Sequence, residues 1–188
     1  MSYITTAEAT AFLFPRGSAP TDLNTFIAAE LSTVDEIINK KCNRNFNKST
    51  SETRYYDGTG EDYVFTDDLV TVSKVEYFNG SWVEITDYYT LGSPIYKIVL
   101  LNGCFPSEKR SIRITGIWGW DAVPTVIKNV AKQIIAKLLL RGEQFRTIYY
   151  KDYLASEGIP MPQPSTEIWD EQLESLIDPY VRKIEHQY

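Results

Sequence analysis

Ser111-Ile112-Arg113-Ile114-Thr115-Gly116-Ile117 runs through Trp118-Gly119-Trp120-Asp121 to Pro124. Behind Pro124 come Val126, Ile127, Val130, Ala131, Ile134, Ile135, Leu138 and Leu139. The first seven residues alternate apolar with polar or small ones, the period of a half-buried strand. The two tryptophans break that pattern. Pro124 sits where a first helical turn accepts proline, because an N–H there has no partner to lose. The apolar residues behind it recur at three- and four-residue spacing, one stripe on a helix, with Lys128, Lys132 and Lys137 turned away. Arg141-Gly142 predicts the stop: a cation near the negative end of the helix dipole, then a residue free to turn left-handed. The stripe is the widest in the sequence, so this helix is expected at the centre of a helical core.

Upstream, Thr5-Thr6-Ala7-Glu8 matches a capping box. It predicts a short helix with Ala7, Ala11 and Phe12 to Phe14 on its apolar side, closed before Pro15. Thr21 or Asp22 then caps a longer helix carrying Leu23, Phe26, Ile27, Leu31, Val34, Ile37 and Ile38. The basic run after it, Lys40, Lys41, Arg44 and Lys48, reads first as solvated cations at a helix C-terminus. Its functional reading is a contact patch for an acidic neighbour or DNA.

From Ser51 to Ile117 the period falls to two. Strands are expected at 52–56, around Tyr63 and Phe65, at 69–78, from Trp82 to Ile85, at 87–91, at 95–101 and at 111–117. Asp57-Gly58-Thr59-Gly60 is a turn, and Asn79-Gly80 predicts a type I′ hairpin. Six or seven short strands with regular turns suggest an antiparallel sandwich or barrel-like lobe. The expected class is α+β, a helical bundle with that lobe inserted. Residues 1–50 would supply N-terminal helices, 51–117 the lobe, 118–145 the long core helix and 146–188 an extended C-terminal arm with a short helix. In the arm, Gly158 to Pro164 is too rich in proline for a helix. Ser165-Thr166-Glu167 could start the last helix, carrying Trp169, Leu173 and Ile177. The arm either packs on a neighbour or folds back on its own core.

With 188 residues and 43% hydrophobic content, the chain can bury about 70% of its unfolded surface without a staple. Its net charge of −6 argues against gripping DNA through phosphates. No signal pattern or membrane-spanning run is visible, so a soluble protein made in a cytoplasm is expected, with Cys42 and Cys104 free. One histidine, His186, nearly excludes a His-based zinc site or catalytic triad. No phosphate-binding glycine loop or Gly-x-Ser-x-Gly occurs. Glu61-Asp62 and Asp67-Asp68 flank turns, where solvated carboxylates are normal. No catalytic, metal or cofactor-binding residue is therefore assigned. Trp118 and Trp120 could stack on a sugar, but with Pro124 they read more simply as anchors at the junction of lobe and helices.

In order and spacing, these pieces resemble the head–tail connector (adaptor) family of tailed bacteriophages. The resemblance covers about residues 5 to 142. It rests on Thr6-Ala7-Glu8-Ala9, the helix from Asp22 to Lys41 ending in Cys42-Asn43-Arg44-Asn45-Phe46, and Tyr55-Tyr56-Asp57-Gly58-Thr59-Gly60. It continues with Val72-Ser73-Lys74-Val75-Glu76-Tyr77 and Tyr88-Tyr89-x-Leu91. It closes with Arg113 to Trp120 and with Val123-Pro124-x-x-Ile127. Residues 143 to 188 carry little of it.

The resemblance implies a non-enzymatic, cofactor-free virion protein at the neck. A homo-oligomeric ring, a dodecamer, would sit beneath the portal protein, extend the DNA channel and offer a platform to a neck or tail-completion protein. DNA would pass without sequence-specific binding, and no membrane would be involved. Candidate interface residues are Lys40, Lys41, Arg44, Tyr149, Tyr150, Tyr153 and Trp169. Two alternatives stay open: a glycan-binding β module using Trp82, Trp118 or Trp120, and a hydrolase using Asp67 and Asp68.

Overall fold

The alternation at 111–117 becomes a strand, Ile112–Trp118, in which Ile112, Ile114, Gly116 and Trp118 are buried and the residues between them half-buried. The computed structural model describes residues 2–15, 23–142, 145, 151–158 and 167–182. Its contacts divide the chain into two compact units, Met1–Asn43 with Val123–Tyr188, and Arg44–Ala122.

The second unit holds six strands: β1 (Ser51–Tyr56), β2 (Tyr63–Phe78), β3 (Trp82–Ile85), β4 (Tyr88–Gly92), β5 (Ile95–Leu100) and β6 (Ile112–Trp118). They form one antiparallel sheet in the order β1-β6-β2-β5-β4, with β3 also on β2. The fold is α+β, but the sheet is not closed into a barrel, and it is one sheet rather than a sandwich. The difference arises in β2. The two strands expected at Tyr63–Phe65 and 69–78 are one strand of 16 residues. Asp67 and Asp68 fall in a register shift against β5, between Phe65 and Leu69, and β2 shifts register against β6 further on, between Leu69 and Thr71 and between Val72 and Lys74. Such bulges take up extra residues without ending the strand. β2 therefore pairs with β6 on one edge and with β5 and then β3 on the other, so every strand belongs to the same sheet.

The sheet's core contains Val64, Leu69, Val75, Ile98, Leu100, Ile112, Ile114 and Trp118, with Phe105 from the β5–β6 connection. The β2–β3 hairpin also departs from expectation. Phe78 pairs with Trp82, leaving three loop residues, and of Asn79 and Gly80 only Gly80 has positive φ (74°). A type I′ turn needs it at both.

In the first unit, α1 (Thr6–Leu13) opens on the expected box: Glu8 N–H donates to Thr5 Oγ1 at 3.1 Å and Thr5 N–H to Glu8 Oε2 at 2.7 Å. Its buried face is Ala9 and Leu13, whereas Ala7, Ala11 and Phe12 are exposed. α2 (Leu23–Cys42) buries Leu23, Ile27, Val34, Ile38 and Cys42; its expected cap, Thr21 or Asp22, lies outside the described residues. α3 (Thr125–Arg141) buries Ile127, Val130, Ala131, Ile134, Ile135 and Leu139 and packs on α1, α2 and α5. Pro124 is its N-cap, one position earlier than expected. Gly142 ends it in an extended conformation (φ −71°), not the left-handed one expected.

After α4 (Lys151–Glu157), α5 (Glu171–Ile177) is capped by Asp170, which accepts from Leu173 N–H at 2.9 Å. Leu173 and Ile177 are fully buried. Past a 3₁₀ turn at Asp178–Tyr180, Arg182 N–H donates to Cys42 O at 2.9 Å. Within this unit, then, residues 167–182 fold back onto α2 and α3.

Candidate interaction surface

Strand register assembles one face of the sheet. Tyr55 pairs with Arg113, Arg113 with Glu76 and Glu76 with Glu84, a row across β1, β6, β2 and β3. Arg113 donates to both Glu76 oxygens, Nε at 2.5 Å and Nη2 at 2.7 Å. That fork fits a carboxylate bidentately. It lets Glu76 be only 4% exposed while charged, and the Arg113 guanidinium holds its carboxyl at about 2. Lys74 adds a second contact to Glu76, at 2.9 Å.

The same guanidinium lies 4.4 Å from the Trp82 ring centre. Trp82 meets Phe78 at 5.3 Å and Tyr55 at 5.8 Å, and Arg110 covers Tyr55 at 5.1 Å. Tyr55 and Phe78 remain more than 40% exposed. Exposed aromatic rings around a fixed guanidinium are the composition of protein-interface hot spots.

The opposite end of the sheet differs. Among the described residues β4 is its last strand, and it reads Tyr88-Tyr89-Thr90-Leu91-Gly92, without a charge or a proline. Tyr89 and Leu91 are exposed, as is Tyr96 on the neighbouring strand. Lys97 Nζ sits 3.7 Å from the Tyr63 ring centre and 5.1 Å from that of Phe65. Uncharged exposed edges are unusual, because a free row of N–H and C=O groups invites another strand.

Chemical sites fare worse. Asp67 accepts from Arg54 Nη1 at 3.0 Å and from the Tyr56 hydroxyl at 3.1 Å; burial pushes that hydroxyl's pKa up. Asp68, 5% exposed, accepts from Arg44 Nη1 at 3.1 Å and Trp120 Nε1 at 3.0 Å. Both carboxylates named for a hydrolase are thus engaged in holding the sheet unit together. Among the described residues no His, Cys, Asp and Glu cluster could hold a metal ion, and no helix is long and apolar enough to cross a membrane.

Of the sequence candidates, Lys40 is exposed. Lys41 pairs with Glu174 at 2.5 Å and lies 5.5 Å from the Trp169 ring centre, so α2, Trp169 and α5 meet around it. Arg44 is not a solvated cation of that run; it belongs to the sheet unit and to Asp68. Tyr153 meets Phe14 edge-on at 4.9 Å. Tyr149 and Tyr150 lie outside the described residues. Lys137, expected in water, donates to Ile168 O at 3.0 Å and Asp170 Oδ2 at 2.6 Å.

Trp118 is 1% exposed and donates from Nε1 to Glu52 O, so it offers no free face to a sugar. Trp120 meets the Phe46 ring at 5.4 Å. The chain re-enters the helical unit at Val123, between Trp120 and Pro124. The Arg113–Glu76–Trp82 cluster is the part that periodicity alone misses. The residues are cross-strand neighbours far apart in sequence, and only the absence of charge in β4 was readable directly.

No protein-family profile matches the sequence, and no curated relative does. Among solved structures, the fold is similar to a chain from the neck of an empty GTA particle computed with C6 symmetry. The TM-score is 0.63 at 11% identity, over 99% of this chain and 94% of that one.

Proposed function

We propose that this chain is a structural head–tail connector of a tailed phage or phage-like particle. It assembles as a ring, a dodecamer, beneath the portal, extends the DNA channel and offers a platform to the next neck or tail protein. The observation that carries this reading is the fold likeness to a neck chain over nearly the whole length of both. The sequence resemblance over residues 5 to 142 points the same way. Twelve copies around one axis are compatible with the sixfold symmetry of that neck. A net charge of −6 suits a wall past which DNA slides with little adhesion. In this reading the chain performs no catalysis. Aromatic and cationic side chains, those around Trp82 and those around Trp169, make its contacts.

The test is electron microscopy of lysates from a particle-producing strain with a nonsense mutation in this gene. DNA-filled or leaking heads beside separate, complete tails are expected. Normally joined particles would refute the reading.

A further inference from the structure

The hydrogen bonds beside β4 fix which of its backbone groups face outward. Leu101 N–H donates to Asp87 O at 3.0 Å, and Leu100 N–H donates to Asp62 O at 2.7 Å. Along an antiparallel strand, successive residues turn their N–H and C=O groups to opposite sides. Val99 and Lys97 therefore bond β4, and their partners Tyr89 and Leu91 turn inward to meet them. Tyr88 and Thr90 turn outward. Tyr88 N–H donates to Thr86 O at 3.2 Å, so the Thr90 N–H and C=O stand at the centre of the edge. Among the described residues no strand lies beyond it.

This edge is complementary to itself. Two β4 strands laid antiparallel with Thr90 against Thr90 exchange both N–H···O bonds at that pair. Tyr89 of each copy then faces Leu91 of the other, at the closer, non-hydrogen-bonded positions. Those side chains are 46% and 38% exposed. Within each copy Leu91 lies opposite Lys97, and Tyr89 opposite Val99. The row across four strands reads Lys97, Leu91, Tyr89, Val99, so no charge meets a like charge. The sheet's other edge fits less well. β1 runs in the same direction as β4 and carries Glu52 and Arg54. A copy added without reversal would pair in parallel, the weaker ladder, and set charges against an uncharged strand.

We propose that the β4 edge of the free protein is covered by the β4 edge of a second copy, paired antiparallel about a two-fold axis at Thr90. A two-fold contact closes on itself and adds no third copy. The pair is a dimer that shields the edge from other strands and separates before its members enter a ring. The contact stands whether or not the neck assignment does.

The test is sedimentation equilibrium of the full-length chain, free in solution. A reversible dimer is expected. Thr90→Lys sets two ammonium groups opposite each other and should weaken it about tenfold. Val83→Lys, at an exposed position of β3, should leave it unchanged. A second set of variants reads the register with Cys104 replaced by Ser. Thr90→Cys should form a disulfide-linked dimer on mild oxidation, because the Cα atoms of a hydrogen-bonded pair lie about 5.5 Å apart. Leu91→Cys should not, because Tyr89 is its opposite number. A monomer at all concentrations up to about 1 mM overturns the proposal. So does association that Thr90→Lys leaves intact, or a Leu91→Cys link as strong as that of Thr90→Cys.

Discussion

Lys41 and Arg44 stand three residues apart in one basic run, yet they face opposite physical problems. Lys41 closes α2 in the helical unit, and its pair with Glu174 is exposed on both sides, at 37% and 51%. Arg44 opens the sheet unit, and the side chain of its partner Asp68 is 4% exposed. A surface pair gains little, because water and salt already satisfy both charges. A buried pair is retained because neither partner can be left alone. The difference is one of consequence on removal, and it can be measured.

The largest effect is expected from Asp68→Ala, which strands both the Arg44 guanidinium and the Trp120 N–H. It should cost about 3 kcal/mol, read by urea unfolding of the full chain with tryptophan fluorescence. Trp82, Trp118 and Trp120 lie in the sheet unit, so the signal reports mainly there. A loss below about 1 kcal/mol would break the comparison. Gly119→Ala strikes the same region through the backbone. Gly119 has φ of +93°, and an added Cβ would lie 2.0 Å from Asn47 O. Its N–H also donates to Asp68 O at 2.7 Å. About 2 kcal/mol should be lost in the same assay.

Replacing both ionic partners, Arg44→Met with Asp68→Leu, sharpens the point. The double variant should lose only about 1 to 2 kcal/mol, the part owed to the orphaned Trp120 N–H. If it is no better than Asp68→Ala, burial of a lone charge is not the cause.

Glu76 supplies an intermediate case with a pH signature. Its carboxyl is held at about 2, against an ordinary 4.5. The stability it contributes is complete above about pH 4.5 and is lost as pH falls through about 2. Glu76→Gln should flatten the acid limb of the stability curve in that window, as seen by thermal melts from pH 2 to 6. An unchanged limb would show that Arg113 does not hold the charge. Lys41→Ala should be the mildest change, about 0.5 kcal/mol or less and smaller still at 1 M salt.

The contrast also marks how far the sequence could be read. Local chemistry was legible: the Thr5–Glu8 box, the α3 stripe and the alternation of β6. What failed was long-range. Arg44 looks solvated until Asp68 is brought to it, and Lys137 looks solvated until Ile168 and Asp170 return. Asp67-Asp68 looks like a turn because charges seldom sit inside strands, yet Arg54, Tyr56, Arg44 and Trp120 satisfy them there. That one misreading split β2 and turned an open sheet into a presumed sandwich or barrel. The aromatic cluster at Trp82 depends on register across four strands, which periodicity does not contain. The β4 edge is the opposite case, since its lack of charge is visible in five consecutive residues.

The division of the chain also sets a schedule for its synthesis. The sheet unit is one continuous stretch, whereas the helical unit needs α2 and α3, separated by all of Arg44–Ala122. A ribosome adding ~5–20 residues per second finishes α2 roughly 4 to 16 s before it starts α3. For that interval Ile27, Val34 and Ile38 have no α3 to pack against. The sheet can be complete before the helices close, so the nascent chain carries an unfinished amphipathic helix that chaperones would recognise.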